Sequence, residues 1–407
     1  MKKLLALLVA LAQTATAVTP TPNEQARFLA GLPQEGSSLA EFARRGEFNS
    51  HAKELDATWA DAEERQFSKI REWAPMGLPE AVHDTAPLLY VFSGPDFLHA
   101  HTFFPNASTY VLAAVEPVGQ LPDVTQLSPG ELGSSLRNLR TTLNASLSFS
   151  FFITADMKKD LQATKLTGTL PVLYVFLARC GCHIQNVEKI WLNAEGKVLT
   201  DKETKTSGAR ITFLGPTGKH QTLYYFSTNI ADWALKQDAS FLRFCDGLGT
   251  MNGFTKSASY LMHMSDFHAI RDYLLHHCHT ITQDDSGIMW KDFPRDSWDV
   301  KAYGWYPGPI ALFKQHFQTD LDEYFRKNEV PALPFGIGYQ WRPKSSTLIY
   351  GVSKMMVRKA IPVDDDKPVA AQPVPPQPAV TPPVITPAPQ PAAVPKALPV
   401  LPNAPRQ

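Results

Sequence analysis

The sequence predicts an α/β or α+β fold, with a mixed, partly parallel sheet flanked by helices and an N-terminal helical segment. Three observations carry this. Leu55, Trp59, Phe67, Ile70 and Trp73 recur at helical spacing. Two apolar runs, Leu88–Phe92 and Thr109–Val115, flank a short stretch of the kind that crosses between parallel strands buried on both faces. The segments 211–214 and 222–226 flank Gly215-Pro216-Thr217-Gly218, a hairpin turn signal.

Further elements follow in order. Ser38-Leu39-Ala40-Glu41 has the spacing of a capping box, in which the serine and glutamate side chains satisfy each other's backbone donors. Pro75, Gly77 and Pro79 end the helical segment over 20–80. Residues 129–147 read as an amphipathic helix. The apolar stretch Val172–Ala178, between Pro171 and a C-terminal Gly181, suits helix and strand equally. Residues 255–278 read as helical with a break before Ser265. Pro309 opens a helix with Ile310, Phe313, Phe317, Leu321 and Tyr324 on one stripe, and Arg326 and Lys327 suit its C-terminal dipole. Strands near Gly338–Trp341 and Thr347–Val352 close the sheet.

The ends differ from the middle. Lys2 and Lys3, the apolar run Leu4–Ala12 and Ala15-Thr16-Ala17 form the pattern of a cleavable signal peptide over 1–17. The run falls well short of the roughly 20 apolar residues of a membrane span. The expected chain is therefore exported, periplasmic or secreted, with no span after cleavage. From Ile361 to Gln407 the sequence holds 15 of the 34 prolines and neither aromatic residue nor glycine, so it cannot bury enough apolar surface to offset its ordering entropy. A disordered, polyproline-like tail is expected over 361–407, with a reach on the order of 140 Å at about 3.1 Å per residue. The globular region over 18–360 is about 340 residues, enough for one large domain or two. The composition of the whole chain, 44% hydrophobic and 11% aromatic, is enough to fill a core, and its zero formal net charge argues against a nucleic-acid partner. A small molecule or an envelope protein is the partner expected.

Candidate chemistry gathers in four places. Ser93-Gly94-Pro95-Asp96 follows a predicted strand, with His99 and His101 close behind, and ligands in α/β sheets bind beyond strand C-termini. Ser93, Asp96 and His99 have the chemistry of a nucleophile and acid–base pair; the structural alternative is a turn whose Asp96 caps the next helix. There is no G-x-S-x-G elbow. Asp284-Asp285-Ser286-Gly287 offers two carboxylates for acid–base work or a divalent cation, though without the spacing of a calcium loop, against a polar turn closed by glycine. His268, Asp272 and His276, four apart on one helix face, could ligate a transition metal, against a solvated face with i,i+4 pairs. Cys180, Cys182, Cys245 and Cys278 allow three complete disulfide pairings. Export favours at least one bridge, from Cys180 or Cys182 to Cys245 or Cys278. The alternative is a metal held by Cys180, Cys182, His183, Cys278 and His279. Aromatic groups at Tyr224–Phe226 and at Trp298, Tyr303, Trp305 and Tyr306 suit a carbohydrate or peptide cleft or ordinary packing.

Three segments taken together carry a resemblance: Tyr90-Val91-Phe92-Ser93-Gly94-Pro95-Asp96 with Phe103-Phe104-Pro105 and Glu116-Pro117-Val118-Gly119; Ser257-Ala258-Ser259-Tyr260-Leu261-Met262-His263; and Gln283-Asp284-Asp285-Ser286-Gly287. Over about 85–350 the chain resembles a group of uncharacterised exported bacterial proteins. The resemblance implies a periplasmic or secreted setting and brings no activity or catalytic residue. The residues themselves leave two readings: a ligand- or partner-binding protein, or a hydrolase or metal-dependent enzyme with a carboxylate/histidine site. They are separated by whether Asp96, His99 or His101 falls in one concave pocket with Asp284 or Asp285.

Overall fold

Five short strands that alternate their side chains between two cores build the centre of the sheet. Leu88 and Tyr90 of β1 (Leu88–Val91), with Tyr110 and Leu112 of β2 (Thr109–Ala114), face one core; Leu89, Val91, Val111 and Ala113 face the other. A strand buried on both sides reads as a continuous apolar run, as these two do. The computed structural model describes residues 19–151 and 165–355. The chain divides into Met1–Val357 and Arg358–Gln407, and every described residue belongs to the first. The leader expected over 1–17 and the tail expected over 361–407 lie outside the described residues.

The fold is α/β. Among the described residues the sheet has ten strands. The others are β3 (His183–Leu192), β4 (Val198–Leu199), β5 (Thr206–Leu214), β6 (His220–Ser227), β7 (Met251–Thr255), β8 (Cys278–Gln283), β9 (Trp298–Gly304) and β10 (Thr347–Ser353), and the order is β4-β3-β5-β6-β2-β1-β7-β8-β10-β9. The stretch β6-β2-β1-β7-β8 is parallel. Antiparallel strands flank it on both sides.

From β1 the chain winds outward to β2 and then β6. The helices Phe97–Phe103, Pro129–Phe149 and Leu170–Arg179 pack on one face along the way. It then returns past β1 to β7 and β8, with Ser240–Asp246 and His268–His277 packed on the other face. The winding therefore reverses between β1 and β7. In open α/β sheets a crevice forms at such a reversal, outside the strand C-termini.

The N-terminal helices Pro22–Leu29, Gly46–Ala62 and Ser68–Gly77, with a π-helical segment Glu63–Phe67 joining the last two, cover the first core, burying Leu55, Trp59, Phe67 and Ile70 as their spacing predicts. The capping boxes lie elsewhere than expected, at Thr21/Glu24 and Ser128/Glu131. Glu41 pairs instead with Arg44 at 2.8 Å, and the Ser38 amide donates to Glu24 at 2.7 Å.

Other departures have plain causes. Val172–Ala178 is helical, and Gly181 takes a φ of +76° just past its end. The helix expected over 255–278 is confined to His268–His277 between β7 and β8. Both strands are buried, yet they carry Asn252, Thr255, Thr280, Thr282 and Gln283, so neither shows a strand's apolar signature. The stripe from Ile310 breaks at Phe317 into a 3-10 segment, Ala311–His316, and a helix, Thr319–Lys327. Gly338–Trp341 supplies only an isolated bridge, Ile337 to Gln340.

Phe254 of β7 packs against the rings of Tyr90, Phe103 and Phe104 with centroids 4.5, 5.4 and 5.6 Å away, and is fully buried. Phe254→Ala is expected to cost about 3–5 kcal/mol of unfolding free energy, read from urea denaturation, because the cavity it leaves is walled by sheet and rings.

Candidate active site

Five non-glycine residues among those described have a positive φ: Phe92 at +58°, Ser150 at +64°, Ser257 at +53°, Ser259 at +51° and Tyr260 at +55°. Phe92 ends β1. Ser257, Ser259 and Tyr260 follow β7. Ser150 caps the helix Pro129–Phe149, and its carbonyl accepts from the Lys256 ammonium. Such conformations persist only where surrounding contacts enforce them, and they cluster at functional sites. Here they gather around the C-terminal ends of β1 and β7, where the winding reverses.

At its centre is the carboxylate of Asp96, 1% exposed. One oxygen accepts from the His99 amide and lies 2.9 Å from His99 Nδ1; the other accepts from Tyr90 at 2.9 Å and lies 3.0 Å from Lys256 Nζ. Burial opposes the charge, but His99 and Lys256 outweigh it and hold the carboxyl well below its ordinary range. The other ring nitrogen, Nε2 of His99, is 3.1 Å from Ser150 Oγ. Asp96, His99 and Ser150 thus form a continuous carboxylate–imidazole–hydroxyl chain. Burial lowers the pKa of His99, keeping the ring neutral, so its Nε2 can accept a proton. Gln66 donates to Ser150 Oγ at 3.1 Å and to the Gly336 carbonyl at 2.6 Å.

The acidic pair after β8 borders the same cluster. Tyr90 feels the charge of both Asp96 and Asp284, and Asp284 feels Lys256. Asp284 accepts from the Ser257 amide at 2.9 Å and from the amide and hydroxyl of Ser286 at 3.0 and 2.5 Å. Asp285 accepts from Tyr260 at 2.7 Å. Burial, and then for Asp285 the neighbouring Asp284, raise both carboxyls, Asp285 to about 7. Two adjoining buried carboxyls cannot both ionise cheaply, so the pair retains a proton near neutrality.

Of the residues singled out in the sequence, Asp96, His99, Asp284 and Asp285 converge. Asp96 also caps the helix Phe97–Phe103, so the structural and chemical roles coexist. Ser93 does not join: its hydroxyl donates to the Gly94 carbonyl at 2.8 Å. The stripe His268, Asp272, His276 does not converge either. His268 faces Asp232 at 3.9 Å, and His276 Nδ1 faces its own helix carbonyl at Asp272, 2.7 Å away. Among the described residues no three His, Cys, Asp or Glu side chains are placed to hold a metal ion. His279, offered as a ligand with the cysteines, pairs with Asp84 at 2.8 Å.

All four cysteines are free. Cys180 and Cys182 adjoin one core, while Cys245 and Cys278 lie in the other. The bridge expected between the two sets would have to pass through the sheet. Tyr224 and Phe226 stack within the second core, and Trp298 and Tyr306 are buried, so these rings serve packing; Trp305 is exposed.

Gln66, Ser150, Lys256 and Tyr260 escaped the sequence reading as site residues. Ser150 sits between phenylalanines in no motif, Gln66 lies in a helical layer 33 residues before His99, and Lys256 follows a strand whose polar sequence hid it. Compared with protein-family models, curated proteins and solved structures, the chain matches none.

Native Asp285 keeps its proton up to about pH 7, whereas an unfolded aspartate loses it near 3.9. The stability this gives is full below about pH 4 and is lost as pH rises through about 7. Relative to Asp285→Asn, the wild type should lose on the order of 2–4 kcal/mol between pH 4 and 7.5 in urea titrations. Gly338, at φ +72°, leaves no room for a methyl: an added Cβ would lie 2.0 Å from Asp284 Oδ2. Gly338→Ala should destabilise by about 2–4 kcal/mol in the same assay and displace Asp284.

Proposed function

We propose that this chain is an exported serine hydrolase that transfers an acyl group through Ser150, with His99 as general base and Asp96 as the group that orients it. One observation carries the reading: Asp96 Oδ1, His99 and Ser150 Oγ are joined by contacts of 2.9 and 3.1 Å, with Ser150 in a positive-φ conformation at the winding reversal of the sheet. A Ser-His-Asp constellation is recognised by geometry and roles rather than by sequence order or fold. Export rests on the leader pattern alone.

In this reading His99 Nε2 takes the proton from Ser150 Oγ as the oxygen attacks an ester or amide carbonyl. His99 then returns the proton to the departing alcohol or amine, and water repeats the sequence to release the acid. Gln66 Nε2 donates to the Ser150 hydroxyl and the Gly336 carbonyl, which holds the nucleophile's oxygen in place beside His99. Lys256 is a positioning residue: it holds Asp96 ionised and ties the Ser150 carbonyl, which fixes the nucleophile's backbone.

Burial favours a second reading. Ser150 and His99 are 1% and 0% exposed, so the chain is sealed in this conformation and a substrate must displace part of its cover. A sealed chain also suits a binding protein in which Asp96, His99 and Ser150 clamp two helices together.

Labelling with a fluorophosphonate, followed by peptide mass mapping, separates the two. Hydrolysis predicts an adduct on Ser150 that is absent from Ser150→Ala and His99→Ala. Turnover of chromogenic short-chain esters should fall about 10⁴-fold in Asp96→Asn. Its rate should reach its plateau below pH 6.5, since His99 is deprotonated below its ordinary value. Absence of an adduct from folded wild-type protein, with Ser150→Ala losing only stability, would establish the clamp instead.

A further inference from the structure

A cleft of about 280 Å³ opens beside Asp285, away from the serine. Its floor is built by Gln318, which is 7% exposed and fully engaged. Its side-chain amide donates to the Asp285 carbonyl at 2.8 Å and accepts from the Trp290 amide at 2.8 Å, and its own backbone amide donates to the Tyr306 hydroxyl at 2.8 Å. The floor is therefore set before any ligand arrives, and pre-organised polar groups lower the cost of binding.

The walls carry groups of complementary kinds. Lys291 brings a cation and Asp320 an anion, so the cleft has no net charge to attract an ion of either sign. Gln315 and Thr319 can each donate and accept, and neither side chain bonds to a described residue. His263 is held by a hydrogen bond to the Gly287 backbone, while its Nε2 is buried without a partner. Burial, with His316 adding to it, lowers His263 to about 3, so that nitrogen is an acceptor at neutral pH. Phe317 is 48% exposed and offers an apolar face. Balanced charge, donors and acceptors in similar number and one free aromatic face match a ring that is apolar on its faces and hydroxylated at its rim. The volume, at the small end for ligand sites, fits one such ring.

We infer that this cleft binds a neutral, hydroxyl-rich molecule the size of one sugar ring, with Phe317 against its face and His263, Gln315, Thr319 and Asp320 at its hydroxyls. The site does not rest on the hydrolase reading, because none of these residues belongs to the Ser150 chain.

The test is titration calorimetry on the full chain with glucose, galactose and xylose, beside glucose 6-phosphate and glucuronate as charged comparators. At least one neutral sugar should bind, and the charged sugars should bind at least about 5-fold more weakly. Phe317→Ala and Asp320→Ala, both at exposed positions, should each weaken binding by roughly 5- to 10-fold. Ser150→Ala should bind as the wild type does, so this inference and the serine chemistry fail separately. The inference is overturned if no neutral sugar binds, if a charged sugar binds more tightly than its neutral counterpart, or if both variants bind as well as wild type.

Discussion

The buried carboxylate of Asp96 is the constraint on which the rest of the site depends. It receives a phenol, an imidazole, an amide and an ammonium drawn from β1, the helix after it and the end of β7. A charge so placed tolerates no vacancy. Removing one partner of a buried pair leaves the other uncompensated, at about 3–5 kcal/mol. Asp96 therefore couples the spacing of two strand ends to the rotamer of His99, and through Lys256 to the backbone of Ser150. The strained residues after β7 are held by other partners: the Ser257 amide donates to Asp284, the Ser259 amide to the Tyr339 hydroxyl and the Tyr260 hydroxyl to Asp285.

The acidic pair after β8 is the counterpart of this arrangement. Both clusters are buried, yet burial leads to opposite protonation. Asp96 has the Lys256 ammonium at 3.0 Å and stays ionised. Asp284 and Asp285 have mostly neutral donors and each other, so a proton remains. Around the same strand ends the fold thus keeps one buried carboxylate charged and a second carboxyl protonated, the separation that acid–base chemistry uses.

How much of this could be read beforehand follows from what each residue type signals locally. β1 and β2 announced themselves because strands with two apolar faces need apolar residues throughout. Asp96 and His99 were visible because a polar turn directly after such a strand stands out. β7 and β8 were not, since their inward positions are filled by Asn252, Thr255, Thr280 and Thr282. The hydroxyl of Thr280 meets Asn252 across the strands, a pairing that only the folded register creates. With β7 unseen, Lys256 had no strand end to belong to. Ser150 and Gln66 reach the site only through tertiary packing, which no spacing rule encodes. The metal stripe engages Asp232 and its own helix carbonyl rather than a common centre, and the sheet lies between the two pairs of cysteines.

The position of the thiols bears on how the chain matures. Two sulfurs lie under one layer of helices and two under the other, and a ten-stranded wall separates them. Once that wall has closed, an oxidant cannot link one pair to the other. Before it closes nothing prevents the link, and a chain so tied could not lay its strands between the joined residues. In an oxidising compartment, the yield of native protein would be decided by a race between sheet closure and sulfur chemistry.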